Sequence, residues 1–296
     1  MKRLLFIPLM FCALLCMAQN KVYVTPATPM DKAVSGHYAG WIKNQLSTYG
    51  GCNFNENGEK IYYPKAYGAS VQVPDGVVYI GGMDAQTSLA ECTFINAKDS
   101  TSTSLASLPK ALDNFAATYD DGYIWVAGGR TNGVPNKEVY CLPFPGGKAW
   151  SVAATLPDEC RMQPCLAVQN TNYGKALFVF GGYQSKDEGL TPMVYTDGVY
   201  MSIAELKKGD AEPTKWKRTS QTLAWATNGE RVQHLQAIVG TTCTPIGYSH
   251  VMFFGGVNHD IFLSAIKGQQ DDQYPNHEPE WYKFRKDVLK IGRAHV

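Results

Sequence analysis

One pattern constrains this chain more than any other: a short apolar strand that stops on a pair of glycines. It recurs as VVYIGG ending at Gly82, YIWVAGG at Gly129, ALFVFGG at Gly182 and SHVMFFGG at Gly256, with a weaker copy, QLSTYGG, at Gly51. Each strong copy follows a second β-rich run. In GASVQVPDGVVYIGG and FAATYDDGYIWVAGG the two runs are joined through Asp-Gly, a strong short-range hairpin signal. CLAVQNTNYGKALFVFGG obeys the same grammar with a longer turn through Asn172 and Gly174. The repeating unit is therefore a hairpin whose second strand runs into glycines.

The second glycines are separated by 31, 47, 53 and 74 residues. Spacing of about fifty residues with a Gly-Gly strand end is the kelch-type signature, in which each unit is one four-stranded blade of a β-propeller. Trp150 and Trp216 fit the tryptophan that such blades carry on their outer strand. Two stacked β-sandwich sheets with accidental glycines are the alternative, but independent hairpins would not share the order strand, turn, strand, Gly-Gly, strand, Trp-strand. The expected fold class is an all-β, kelch-type β-propeller, with about four complete blades and a fragment visible.

Residues 1–18 read as a processing segment: Lys2 and Arg3 precede an apolar run from Leu4 to Cys16, with Ala18 at the cut. The run is short for a bilayer span. The expectation is an exported, periplasmic protein without a membrane span, a lipid anchor at Cys16 being the alternative. Residues 19–289 are assigned to the propeller and 290–296 to a non-native tail. With 27 basic against 26 acidic residues and no basic stripe, nothing points to nucleic acid. Removing residues 1–18 leaves six of the eight cysteines. An even number permits disulfides, but most sit in strand-like runs and read as buried thiols. None has metal-site spacing, so no metal is assigned.

The segment 34–53 reads as a first hairpin turning at Lys43 and Asn44. It stands close to the next unit, so its remaining strands are expected from the C-terminus, as in propellers whose two chain ends share a blade. After Trp216, residues 221–244, with Trp225, Arg231 and His234, read as a long connection before a strand starting at Ser249.

Hairpin geometry ranks the polar residues. Those just before a first strand and those just after Gly-Gly converge on one face of the ring, where loops on a rigid scaffold place ligands. The first set is His37, Tyr67, Asn114, Arg161 and His250, and the second is Asn53, Asp84, Arg130, Tyr183, Asn258 and His259. Arg130 and Arg161 offer planar forks suited to a carboxylate, or else tie adjacent loops. His250 and His259 could carry protons near neutral pH or act as framework residues. Asn53 and Asn258 suit sugar hydroxyls as well as turns. The expected substrate-binding set is Arg161, Arg130, Asn53, Tyr67, Asn114, Asn258, His259 and His250.

VSGHYAGWIKNQLSTYGGCNFNE, YYPKAYGASVQVPDGVVYIGGMD and GYSHVMFFGGVNHDIF resemble the cyclically permuted branch of the N-acetylneuraminate epimerase (sialic acid mutarotase) family over nearly the whole mature chain. The resemblance implies a six-bladed kelch propeller, its last blade region incomplete here, that interconverts sialic acid anomers without a cofactor. Its partner would be a small acidic sugar. Changing the anomer of a 2-keto acid hemiketal takes a base on the anomeric hydroxyl, an acid on the ring oxygen and a cation for the carboxylate. The family's glycine-rich turn bearing Glu and Arg, expected near the C-terminus, has no match here, so no catalytic base is assigned.

Two other readings stand beside this one. A non-catalytic secreted kelch propeller binding glycans or protein is the alternative. A copper oxidase on the same fold would need a Tyr/His cluster, for which His250 and His259 are thin support.

Overall fold

The computed structural model describes residues 28–55, 57, 59–219 and 237–292. Within them the hairpins stack radially as a propeller-like array of all-antiparallel sheets. An opening hairpin, Tyr38–Ile42 with Gln45–Tyr49, precedes four blades. The first is Ala69–Val73, Gly76–Met83, Ser88–Asn96 and Ser102–Ser104. The second is Asp113–Asp120, Tyr123–Thr131, Glu138–Pro143 and Ser151–Thr155. The third is Cys165–Thr171, Gly174–Phe180, Gly198–Ser202 and Lys217–Arg218. The fourth has three strands among the described residues, Thr241–Ile246, His250–Gly255 and Val288–Ile291.

The second strands of the first three blades are apolar on both faces because those blades are covered on both sides. Side chains alternate across a strand, and the core divides accordingly into layers between neighbouring blades. Ile124 and Val126 face the first blade with Val78, Ile80 and Leu112, while Trp125 and Ala127 face the third with Leu177 and Val179. Phe178 and Phe180 in turn pack against Val251 and Phe253 of the fourth blade. The tryptophans tie blades together: Trp150 Nε1 donates to the Ala106 carbonyl at 2.9 Å and Trp216 Nε1 to the Thr155 carbonyl at 2.8 Å. Each indole thus reaches back into the preceding blade.

Two expectations change. The C-terminal strand Val288–Ile291 pairs with His250–Gly255 of its own blade, while Gln45–Tyr49 pairs only with Tyr38–Ile42 among the described residues. Completion of the first unit by the C-terminus is therefore not seen among them, and the last strand runs past residue 290. The fourth blade begins at Thr241, not Ser249: Thr241–Ile246 is its first strand, and Gly247, Tyr248 and Ser249 form the hairpin turn. Trp225, Arg231, His234 and the segment 1–18 lie outside the described residues. Among those described, no helix is long and apolar enough to cross a membrane, and all six cysteines are free thiols, five of them buried.

Candidate functional site

The collar of the ring is built by one conformational device repeated five times. Gly36, Tyr67, Asn114, Gln163 and Gly240, each at or near the start of a blade's first strand, all adopt the left-handed region, with φ of 65°, 58°, 55°, 49° and 60°. That kink turns the backbone from the face of the ring into the strand. It also aims the peptide groups around the axis: Tyr67 N donates to the Gly36 carbonyl at 2.8 Å, Asn114 N to Tyr67 at 2.8 Å, and Gln163 N to Asn114 at 2.7 Å. A chain of main-chain hydrogen bonds therefore runs from blade to blade.

The glycine pairs supply the stitch just outside this collar. In the first four pairs the second glycine donates its N–H to the next unit, Gly51 to Lys65, Gly82 to Leu112, Gly129 to Arg161 and Gly182 to Ile238, at 2.8–2.9 Å. The first glycine allows the close approach: a Cβ on Gly128 would collide with the Arg161 carbonyl, whereas one on Gly255 would meet nothing within 4 Å. The fifth pair thus has no neighbouring blade among the described residues.

Inside the collar lies a cavity of about 550 Å³, within the range of about 300–1,000 Å³ that small-molecule sites occupy. Ser35, His37, Tyr67, Asn114, Gln163, Thr241 and Thr242 supply its polar lining. Burial, followed by the hydrogen bond to the Cys52 thiol, pushes the Tyr67 phenol up, so it stays a neutral hydroxyl at physiological pH. Gln163 Nε2 donates to Asn114 Oδ1 at 2.9 Å, which leaves Asn114 Nδ2 to bond Asp113 Oδ1 at 2.6 Å.

Asp113 joins the cavity to an arginine with an open edge. Its buried carboxylate accepts from Ser88 Oγ at 2.5 Å through Oδ2, and through Oδ1 from both Asn114 and Arg130 Nε, the latter at 3.1 Å. Arg130 Nη1 donates to Glu188 Oε1 at 2.6 Å. Glu188 is fixed by a capping box in a short helical turn, its Oε2 accepting from Ser185 N at 3.0 Å and Oγ at 2.5 Å. Burial works against the charge on Arg130, but the two carboxylates outweigh it and hold the guanidinium protonated. Its side chain is a quarter exposed, and among the described residues no hydrogen bond occupies Nη2. Tyr62 and Tyr183 stand in its electrostatic neighbourhood, both phenols raised chiefly by burial. The arrangement can offer an anion or a hydroxyl one guanidinium edge, beside a wall of neutral donors and acceptors.

The expected residues separate into groups. Tyr67 and Asn114 line the cavity, and Arg130 is one shared carboxylate oxygen away from Asn114. Arg161 does not face the cavity. It is fully buried and stacks on Tyr195; Nε bonds Asp158 at 2.7 Å, Nη1 the Gly181 carbonyl at 2.7 Å and Nη2 Asp197 at 2.8 Å. With Arg218 bridging the same two aspartates, it is a tie between loops and not an open carboxylate fork. The collar position of that blade belongs to Gln163, two residues on.

His250 begins the second strand of the fourth blade, at the hairpin end opposite Gly-Gly, so it is on the other face of the ring. Asn53, Asn258 and His259 follow their glycine pairs as expected but do not line the cavity. Asn53 Oδ1 accepts from Phe54 N at 2.6 Å. Asn258 caps the helix His259–Ile266, accepting from Asp260 N and Ile261 N, and His259 Nδ1 pairs with Asp260.

The sequence reading missed Gln163, Asp113 and Glu188. The collar residue stands fourteen positions before the first glycine in the first three units, Gly36 to Gly50, Tyr67 to Gly81 and Asn114 to Gly128. The longer third-blade hairpin breaks that count. Glu188 carried a local signal, the Ser-x-x-Glu capping box beginning at Ser185. Among the described residues, no group of three His, Cys, Asp or Glu side chains converges as a metal-ligand set.

No protein-family model matches the chain, and no curated protein matches its sequence. Many solved structures resemble it. One is the structure of YjhT, which it matches with a TM-score of 0.60 at 13% identity, over 81% of this chain and 82% of that one. At that identity the likeness is one of fold, and it agrees with the all-β, kelch-type propeller read from the glycine pairs.

Proposed function

We propose that this chain is an exported, kelch-type mutarotase that interconverts the anomers of N-acetylneuraminate by cofactor-free opening of the hemiketal. The observation that carries the reading is the Arg130 guanidinium, pinned by Asp113 and Glu188 with no hydrogen bond on Nη2 among the described residues, and joined through one Asp113 oxygen to Asn114 in the wall of a cavity also lined by Tyr67 and Gln163. A sugar acid presents one carboxylate and several hydroxyls. In this reading the carboxylate takes the Arg130 edge, and the hydroxyls take the neutral collar. A charge-assisted hydrogen bond from a preset guanidinium N–H to a carboxylate is strong and directional. The motif resemblance at the glycine pairs and the propeller likeness to YjhT support it.

Ring opening needs proton movement at the anomeric hydroxyl and at the ring oxygen. The titratable side chains that line the cavity include His37 and Tyr67. They are the groups through which this reading routes the proton.

One observation favours the second reading, a non-catalytic propeller that binds glycans or protein. Asp113 and Glu188 already outnumber the single charge of Arg130, so a neutral glycan would be met without adding a third negative group. Titrating the protein with N-acetylneuraminate and with a neutral hexose by ligand-observed NMR separates the two. Saturable binding of the acid that Arg130→Gln weakens supports the proposal, and equal binding of both sugars unaffected by Arg130→Gln favours the second reading.

A further inference from the structure

The cavity wall between the third and fourth blades is backed by two thiols that the function above does not use. Cys165 directly follows the lining residues Gln163 and Pro164, and Cys243 directly follows Thr241 and Thr242. Their contacts are reciprocal. Cys165 Sγ donates to the Thr241 carbonyl at 3.1 Å, and Cys243 Sγ to the Leu166 carbonyl at 3.5 Å. Each sulfur thus reaches across the seam to the partner strand, close to the other sulfur, and the neighbouring Cys243 thiol followed by burial pushes the Cys165 thiol well up. Cys92 and Cys141 are buried in other seams, and Cys52 Sγ is engaged with Tyr67. Among the described residues, Cys160 is buried beside other groups, and Cys165 and Cys243 are the pair that the fold brings together.

We infer that Cys165 and Cys243 form a redox-labile pair which, on exchange with a small disulfide, closes into a covalent strap joining the two blades behind the cavity wall. The proposal concerns the wall and does not depend on which ligand the cavity takes. Cys243 is the partly accessible member and Cys165 the buried one, which sets the order of events. The Cys243 thiol loses its proton and attacks one sulfur of the small disulfide, forming a mixed disulfide and expelling one small thiol. The Cys165 thiol then loses its proton and attacks Cys243 Sγ, forming the Cys165–Cys243 bond and expelling the second small thiol. Two protein thiols are oxidised and one disulfide is reduced to two thiols. Because the two cysteines lie far apart in sequence, the strap closes a long loop and is expected to stabilise the folded state against the unfolded one. It also fixes Gln163–Pro164 against Thr241–Thr242.

The test uses the whole chain in its folded state. Reduced protein is freed of reductant and incubated with oxidised glutathione at mildly alkaline pH, which raises the thiolate fraction. Remaining thiols are then alkylated, the protein is denatured, and peptides are mapped by mass spectrometry. The inference expects two fewer alkylated thiols, a linked peptide pair containing Cys165 and Cys243, and a higher unfolding temperature for the oxidised form. Cys165→Ser and Cys243→Ser, each shown to be folded by near-ultraviolet circular dichroism, should both abolish the linked pair. A persistent glutathione adduct on Cys243, a cross-link between other cysteines, or no loss of thiols would overturn it.

Discussion

Arg130 and Glu188, 58 residues apart in sequence, meet at 2.6 Å across the seam between the second and third blades. Arg130 directly follows a glycine pair in one blade, and Glu188 sits in a capped turn soon after the glycine pair of the next. Their ion pair is thus a product of the repeat: the residues that follow successive glycine pairs are brought to one face, and the stitch between blades sets their separation. The Glu188 side chain is fully buried, while Arg130 keeps a quarter of its side chain exposed.

That asymmetry makes Arg130→Gln informative. Losing the cation leaves two carboxylates near each other with Ser88, Asn114 and Ser185 as their donors. Breaking a buried pair from one side costs about 3–5 kcal/mol. The partial exposure of Arg130 places the expected loss lower, at about 2 kcal/mol. Urea denaturation measures it, and ligand titration of the same folded variant should show weakened binding of N-acetylneuraminate.

Arg161→Ala should cost more and say nothing direct about ligand. Its guanidinium is wholly buried between Asp158 and Asp197, so removal leaves buried charge shared with Arg218, with an expected loss of about 3–5 kcal/mol. Arg161→Lys should recover little, because an ammonium cannot reproduce the fork that spans Asp158, the Gly181 carbonyl and Asp197 at once. Equilibrium unfolding of both variants is the check.

The glycine pairs should not be equivalent. Gly128→Ala meets both a left-handed backbone, φ 77°, and the Arg161 carbonyl of the next blade. Gly255→Ala meets a left-handed backbone, φ 69°, and open space. The second change should cost only the conformational term of about 1–2 kcal/mol, and the first that term plus a displaced blade. A smaller loss of unfolding temperature at 255 than at 128 is the expected order.

Trp216→Phe removes one partly buried hydrogen bond, to the Thr155 carbonyl, and keeps most of the packing. The expected cost is about 1–3 kcal/mol, set by the carbonyl left without a donor, and Trp150→Phe should behave alike through Ala106. Denaturation midpoints report both.

Glu138 gives a pH dependence with a defined sign. Its carboxyl is held below its ordinary range, first by Lys110 and then by the Tyr140 hydroxyl. The contribution is therefore complete above the unfolded-state carboxylate pKa and is lost as pH falls through the lower folded value. Glu138→Gln should flatten the acid limb of stability against pH while leaving a small deficit at neutral pH, as chemical denaturation across an acid series will show.

The blades were legible because two independent signals coincide. The glycine pairs mark where one blade touches the next, and two-sided burial makes strands such as Tyr123–Thr131 apolar on both faces up to their glycines. The first strand of the fourth blade was not legible for the converse reason. Thr241–Ile246 carries threonines and Pro245, and much of it is exposed, so it lacks the apolar pattern that covered strands show. Missing that strand displaced His250 by a whole hairpin. Of the expected residues, Asn114 stands on the collar, whereas Arg161 lies two residues before the collar position at Gln163 and is buried between Asp158 and Asp197. Glu188 was hidden since its role depends on a contact across a seam, which no local pattern contains.

The most direct test of the central claim is anomer-exchange NMR on N-acetylneuraminate, at a pH where spontaneous mutarotation is slow, with the folded chain and its Arg130→Gln variant side by side. The account predicts faster exchange with the unaltered chain and a clear loss of that acceleration in the variant. Exchange at the spontaneous rate in the presence of folded, ligand-binding protein would contradict the mutarotase reading and leave a glycan-binding propeller.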